Sequence, residues 1–360
     1  RGAADDQIVA ALRRLAGEDR HQTVVAVGRS RIGGVDDRDR CRGIETFARD
    51  AEQVRQQIRA GRVGALFNGV GAAEGREAQR IAVEESRLGI PLLLGADVIH
   101  GMRTVFPIPL GEAASFEPDL AERTARATAV EATAAGIHWT FAPMVDVARD
   151  QRWGRVAETS GEDVHLSNLF AAARVRGFQG EDLTASDSLL ATPKHFAAYG
   201  AVAAGLDYNQ VDISPQTLRE VHLPPFKAAI EAGALTLMSS FNDINGVPAS
   251  ANRELLTDVL RGEWDFRGFV VSDYTSDFEL IAHGFADDEA DAAKKALASG
   301  LDMSLQSGLY AAHMADLVER GEVPLAVVDE AVRRVLTVKA AIGLFEDPYR
   351  SLDPKREQDT

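Results

Sequence analysis

Several polar residues stand where a hydrophobic pattern would otherwise continue, and their types suit chemistry on a hydroxyl-rich molecule. The clearest is Asp273, which closes the run Gly268-Phe-Val-Val-Ser-Asp-Tyr274. Phe269 to Ser272 is apolar, β-branched and bounded by Gly, the pattern of a buried parallel strand. An ionised carboxylate is costly to bury without partners. At the carboxyl end of such a strand it is either the cap of the next helix or a working acid, and the run alone leaves both readings open. Other apolar runs end the same way. One leads to Asp97 and His100. The next passes Pro143, Asp146 and Asp150 into Arg152-Trp153-Gly154-Arg155. A third ends in Lys194-His195-Phe196, and a fourth carries Met238, Ser239 and Ser240 into Phe241-Asn242. Core packing favours apolar side chains at such places, so charged groups gathered there point to a site.

Carboxylates accept hydroxyl hydrogen bonds, while Lys, Arg and His donate them. Cationic neighbours also keep a carboxylate ionised. An Asp held in that form is a competent nucleophile at an anomeric carbon. Each residue has a plainer reading beside this one. Asp97 suits an Asx-turn, and Arg155 suits a surface pair with Glu158, Glu162 or Asp163. Trp153 reads as a loop anchor before a sugar platform, and His100 and His138 read as structural. Lys194 and His195 are adjacent, so a regular strand would point them to opposite faces; a bulge at the strand end would aim both at one site.

Other chemistries lack their residues. There is no His-x-x-x-His, no Asp-rich calcium loop, no Gly-x-Ser-x-Gly elbow and no P-loop. Gly28, Gly33 and Gly34 lack dinucleotide-loop spacing. Cys41 is the single cysteine, which excludes an internal disulfide and a cysteine-based zinc site. No metal and no cofactor are therefore expected. Lys and Arg total 39 against 55 Asp and Glu, a net charge of −16, which disfavours nucleic acid or an anionic membrane as partner. No stretch approaches the roughly 18–20 apolar residues of a membrane span. The chain starts at Arg1 rather than Met, and export is neither indicated nor excluded by its residues.

The elements that must position these groups repeat as apolar run, polar or glycine-bearing loop, and amphipathic helix. Strands are expected at 23–28, 63–68, 91–97, 138–145, 188–196, 235–242, 269–273 and 301–305. Helices are expected at Pro118–Gly136 and at Ser214–Gly233, the latter with Ser214 as N-cap and Pro215 at the first position. Pro324–Gly343 reads as two short closing helices. This is an α/β chain, and eight such units suit a (β/α)8 barrel; a doubly wound sheet uses the same pattern. From 350 to 360 the chain is polar and Pro-containing, as a linker would be. The division is thus a catalytic domain over 1–349 and a linker to a further domain.

Taken together, Gly95-Ala-Asp97-Val-Ile-His-Gly101, Arg103-Thr-Val-Phe-Pro107, Phe141-Ala-Pro-Met-Val-Asp-Val147, Arg152-Trp-Gly-Arg155, Gly161-Glu-Asp163, Lys194-His-Phe196, Asn242-Asp-Ile-Asn-Gly246 and Ser272-Asp273-Tyr274 resemble the catalytic barrel of glycoside hydrolase family 3. The likeness runs in order from about Val63 to Tyr349. His195-Phe-Ala-Ala-Tyr-Gly200 and Tyr208-Asn209 are similar to the bacterial periplasmic-type β-glucosidases, which implies a periplasmic or secreted protein and leaves the cytoplasm open. The resemblance implies retaining hydrolysis of β-glucosides or oligosaccharides. It makes Asp273 the nucleophile, places Asp97, Arg155, Lys194 and His195 on the sugar hydroxyls, and lines that subsite with Met238 and Tyr274. Arg103 and Asp163 would brace loops.

The chain departs from the family pattern in three ways. The acid/base Glu of many members belongs to a second α/β-sandwich domain, absent from these 360 residues. The Asp-x-His loop of the compact members has no counterpart in Ala198–Asn209. Phe241 and Ser304 replace the Tyr and Glu frequent in relatives. Glu279 is the in-chain alternative for the acid, but six helical residues set it roughly 9 Å from Asp273 along the axis. A retaining pair stands about 5–5.5 Å apart. The readings left are a β-glucosidase barrel, completed by a C-terminal domain or a homodimer partner, and a sugar-binding or inactive fragment lacking its acid. A Schiff-base aldolase on Lys194 would leave Asp97, Arg155 and Asp273 without roles.

Overall fold

The computed structural model describes residues 6, 9–10, 25–26, 52–68 and 71–360. The expected first strand is described only at Val25–Ala26, and Cys41 and the Gly28–Gly34 loop lie outside the described residues. Among the described residues the strands are β1 (Val25–Ala26), β2 (Ala65–Phe67), β3 (Leu93–Ala96), β4 (Trp139–Thr140), β5 (Thr236–Met238), β6 (Asp243–Ile244), β7 (Val247–Pro248), β8 (Phe269–Val271) and β9 (Ser304–Leu305). A parallel sheet runs β4-β3-β2-β1-β9, and a second parallel pair joins β5 to β8. Single parallel bridges link Trp139 to Leu190, Met144 to Lys194, Phe196 to Ser239 and Val271 to Met303. The chain is thus a mixed α/β fold with parallel strands, as expected, although its ladders do not form one continuous sheet.

The segment 188–196 shows why. It was expected as a full strand, yet it pairs only at Leu190, Lys194 and Phe196. Pro193 has no N–H to give a ladder. The Lys194–His195 and Phe196–Ala197 peptides are cis, where a regular strand and a bulge were the two alternatives. The antiparallel hairpin β6–β7 turns through Asn245-Gly246, both at positive φ. That is the dipeptide a two-residue hairpin favours.

Among the described residues, helices that lie between or after the strands are α1 (Ala72–Arg80), α2 (Pro109–Ala113), α3 (Pro118–Ala134), α4 (Val164–Gln179), α5 (Pro224–Glu231), α6 (Glu289–Ser299), α7 (Leu309–Glu319), α8 (Leu325–Ala341) and α9 (Pro354–Asp359). The expected Ser214–Gly233 helix starts as read, with Ser214 Oγ accepting from Thr217 N at 3.1 Å. It continues through a wider-wound stretch at Leu218–His222 to Pro224–Glu231, with the backbone still helical at Leu223, where Pro224 and Pro225 remove two backbone donors. The two closing helices expected over 324–343 are one, α8.

A cluster between the strands takes in Ala65, Leu93, Trp139, Leu190, Met238, Phe269, Met303 and Leu305, with Val335, Val338, Ile342 and Leu344 from the closing helix and the turn after it. Trp139 packs edge-on against Phe141 and Phe269, and its Nε1 donates to Thr192 Oγ1 at 2.7 Å. Large-to-small changes at such rings cost about 3–5 kcal/mol. Gly268 lets β8 close onto its neighbour, since a Cβ there would stand 1.8 Å from Leu235 O.

Residues 350–360 depart from the linker expectation. Leu352 is fully buried, and α9 docks through Arg356, which donates to Thr133 Oγ1 at 2.8 Å, and through Glu357, which accepts from Ala72 N at 2.8 Å. Their polar residues are those of a helix lying on the surface.

Candidate active site

The carboxyl ends of the strands bring the expected polar groups together. Asp273 follows β8 and is buried. Its Oδ1 accepts from Tyr274 N at 2.7 Å. Its Oδ2 has no hydrogen-bond partner among the described residues. His195 Nε2 stands 3.3 Å from that oxygen, without the alignment of a hydrogen bond. Burial pushes the Asp273 carboxyl up to about 6, against the opposing charge of Lys194, the Tyr274 amide and Arg155. The cations were expected to hold this acid ionised; they only moderate what burial does. Asp273 does not cap a long helix: Ser276 N turns back to Asp273 O at 3.1 Å.

Both members of the Lys194-His195 pair reach the site. Lys194 is buried and donates from Nζ to Asp97 Oδ2. Asp97 also accepts from Ile99 N at 3.1 Å, so the expected Asx-turn and the cation contact coexist. His195 is held by Asp146, whose Oδ2 takes both the His195 backbone N and Nδ1 at 2.9 Å. Burial first, then Arg155 and Lys194, push the imidazole well below its ordinary value, so it is neutral at pH 7. Burial pushes Asp146 up to about 7. Asp146 was seen in the sequence but given no role. Its signal was an acid set in the apolar run Phe141–Val147.

Arg155 pairs with Glu158, Nε to Oε1 at 2.7 Å and the second nitrogen to Oε2 at 2.8 Å, as its plainer reading held. It also lies 5.6 Å above the Tyr199 ring, which meets His195 edge-on at 5.1 Å. Arg155 is thus next to the site but engaged with Glu158. Met238 is buried in the interior cluster, while Tyr274 is exposed and packs edge-on with Phe67.

Trp153, His138 and His100 make local structural contacts, as their plainer readings held, and four further residues are engaged around them. Trp153 is buried and donates to Asp207 Oδ1 at 2.9 Å. His138 is buried, and its Nδ1 accepts from Leu94 N at 3.3 Å. His100 Nδ1 contacts Phe106 O at 3.1 Å. Asp163 caps α4 through Leu166 N, and Arg103 donates to Glu357 O at 3.0 Å. Phe241 packs edge-on against Tyr208, and Ser304 donates to buried Asp277.

Glu279 was placed by assuming a continuous helix after Asp273. The chain instead makes a tight turn at 273–276 and a single helical turn at Phe278–Leu280. Glu279 is half-buried, and burial, then the charges of Asp273 and Asp277, push its carboxyl up to about 7. Among the described residues no group of three or more His, Cys, Asp or Glu could hold a metal ion, and no helix is long and apolar enough to cross a membrane.

Comparison with known proteins adds to this geometry. Residues 24–338 match the family model described as "Glycosyl hydrolase family 3 N terminal domain". The chain belongs to glycosyl hydrolase family 3. It is similar to the "Periplasmic beta-glucosidase" of Salmonella typhimurium, 46% identical over 304 residues, 84% of this chain and 40% of the relative. It is 37% identical over 283 residues to a "Putative beta-xylosidase" of Formosa agariphila, 76% of this chain and 37% of that protein. The crystal structure of a β-glucosidase from Listeria innocua matches with a TM-score of 0.90 and 36% identity, over 98% of this chain and 49% of that one. The chain therefore spans less than half the length of these family 3 relatives. The resemblance read from the motifs is the family shown by comparison.

Proposed function

We propose that this chain is the catalytic barrel of a retaining β-glucosidase, with Asp273 as nucleophile. The observation that carries the proposal is a buried carboxylate with one oxygen fixed by an amide and the other unpartnered. Asp273 Oδ2 forms a bond to the anomeric carbon as the bond from that carbon to the leaving oxygen breaks. A carboxylic acid gives its proton to the leaving oxygen. The conjugate base then takes a proton from water, which attacks the same carbon and releases Asp273. Asp97, Lys194, His195 and Arg155 bind the sugar hydroxyls, and Met238 and Tyr274 wall the subsite. Glucose is the preferred sugar over xylose, supported by the higher identity to the Salmonella β-glucosidase.

A (β/α)8 barrel is supported by the pairings: single bridges continue the ladders from β4 through Leu190, Lys194 and Phe196 to β5, and from β8 to the residue before β9. A further α/β-sandwich domain supplies the acid, a reading supported by the extra length of the relatives. A periplasmic or exported location rests on the Salmonella likeness alone.

The test is Asp273→Asn with an aryl β-glucoside. Release of nitrophenol should stop while the fold stays intact, and near-normal turnover would rule the assignment out. The second reading is a sugar-binding barrel without its acid. A dinitrophenyl glucoside needs little acid assistance, so these 360 residues should still form the glycosyl-enzyme from it and fail on cellobiose. Normal cellobiose hydrolysis would place an acid within the chain or in an oligomeric partner.

A further inference from the structure

The turn that carries Asp273 is held by buried hydroxyls on two sides. Ser276 N bonds back to Asp273 O at 3.1 Å and closes the turn. On one side Asp277 accepts from Ser304 Oγ at 2.7 Å and from Ser307 Oγ at 2.8 Å, which ties the turn to β9. On the other side Ser276 Oγ meets Ser250 Oγ at 2.8 Å. Ser250 lies in the single helical turn Ala249–Ala251 that follows β7, and both serines are buried.

Ser250 Oγ also meets Ser239 Oγ at 2.8 Å and donates to Ser240 O at 3.2 Å. A hydroxyl has one proton to give and two lone pairs. Ser240 O can only accept, so it takes the Ser250 proton, and the hydroxyls of Ser239 and Ser276 both donate to Ser250. The bonding capacity of Ser250 is then full. Its proton ends on a backbone carbonyl, so the three serines hold position and pass no proton toward the site.

The residues at the far end of this link fix the Lys194-His195-Phe196 segment. Phe196 pairs with Ser239, Phe196 N donates to Met238 O at 2.7 Å, and Ser240 N donates to Phe196 O at 3.1 Å. The backbone ladder between β5 and β8 runs only as far as Ser239 N, which donates to Val271 O at 2.9 Å, short of Asp273. Ser250 carries the connection on to the turn itself. What it spans matters, because His195 Nε2 and Asp273 Oδ2 stand 3.3 Å apart across the same gap.

We propose that Ser250 is a positioning residue for the nucleophile: its hydroxyl fixes the Asp273 turn against the strand end that holds Lys194 and His195. The inference rests on Asp273 being the nucleophile of a β-glucosidase, and extends that reading to what keeps the carboxylate aimed at the anomeric carbon. Ser250 acts through Ser276. Ser250→Ala leaves the hydroxyls of Ser239 and Ser276 without their partner, since neither makes another hydrogen bond among the described residues.

The experiment compares the chain with its Ser250→Ala, Ser276→Ala and doubly substituted forms. The burst of dinitrophenol from dinitrophenyl β-glucoside reports the attack by Asp273, and calorimetric titration of glucose reports binding. The burst rate should fall on the order of ten-fold in both single variants, a part of what a misplacement of about 1 Å costs. The double variant should lose no more than either single one, because all three remove the same link. Glucose affinity should hold, which separates aim from a loosened fold. An unchanged burst rate, additive losses, or glucose affinity falling in step with the rate would overturn the proposal. Where Ser250→Ala does not fold, Ser276→Ala decides by the same rate and affinity. A parent chain that gives no burst would instead remove the nucleophile reading and the proposal with it.

Discussion

Asp273 and Asp302 are both buried acids bordering the β8 and β9 strands, and they are treated in opposite ways. Asp302 precedes β9 and is saturated. Arg261 donates to it at 2.6 Å, Arg334 at 2.8 Å and Val270 N at 2.8 Å. Asp273 leaves β8 at its carboxyl end with one oxygen unpartnered. Lys339 repeats the first pattern near the amino ends of β2 and β3, where its Nζ donates to Gly64 O at 2.8 Å and Pro91 O at 2.7 Å. Asp146 and His195 repeat the second. Asp302 and Lys339 at the amino ends are closed against backbone and opposite charge, whereas Asp273 and Asp146 at the carboxyl ends each keep one oxygen unpartnered among the described residues. Burial alone does not separate Asp302 from Asp273; the partners their oxygens find do.

That contrast can be broken by exchanging the treatments. Asp302→Ala leaves two guanidinium groups without their acid and should cost about 3–5 kcal/mol in chemical denaturation. Its remaining activity should keep the same pH profile; a shifted profile would mean that the two ends are coupled. Asp146→Asn tests the carboxyl end. His195 would lose its charged anchor, and kcat should fall roughly 10²-fold, the effect of a small misplacement near the reacting atoms. The thermal midpoint should move little, because Asp146 is itself an acid pushed up by burial.

Asp273→Asn should then gain stability while losing activity. Its folded value of about 6 lies above the unfolded value of 3.8. The folded state therefore holds its proton more tightly, and that stabilisation is present below pH 4 and lost as pH rises through 6. Above pH 6 the native protein bears the cost of a buried charge, at most about 3 kcal/mol. The variant should melt higher than the wild type at pH 8 and about equally at pH 3.5. Equal midpoints at both pH values would show that Asp273 carries no such cost.

The smallest effect is expected at Lys339. Burial pushes its ammonium down to about 7, from 10.5 when exposed. The unfolded chain then binds the extra proton between pH 7 and 10.5, so stability rises with pH across that window. Against Lys339→Met, which cannot titrate, the wild type should improve steadily from pH 7 to 9 in thermal melts. A flat difference would place a compensating charge near Lys339.

Much of the candidate site was legible because charged residues interrupt the hydrophobic pattern. Asp97, Lys194, His195 and Asp273 each end an apolar run, and each is found among the grouped strand-end residues. Asp146 was visible yet passed over, since an acid inside an apolar motif does not announce which residue it will orient. Arg155 was read both ways, and its Glu158 pair is the local one that spacing allows. Glu279 was read from a continuous helix, whereas the chain first turns at 273–276 and then makes one short helical turn. The segment 188–196 was read as a regular strand because periodicity reports side-chain pattern, not backbone donors lost at Pro193.

The sequence by itself determined the family, the alternation of strands and helices, and the residues able to do chemistry, because these depend on residue type, order and local spacing. Tertiary structure decided which acids are satisfied and which are left open, because partners such as Arg334 for Asp302 or Asp146 for His195 come from distant elements. It also decided protonation. Burial, a property of the whole fold, outweighs the neighbouring cations at Asp273 and keeps His195 neutral.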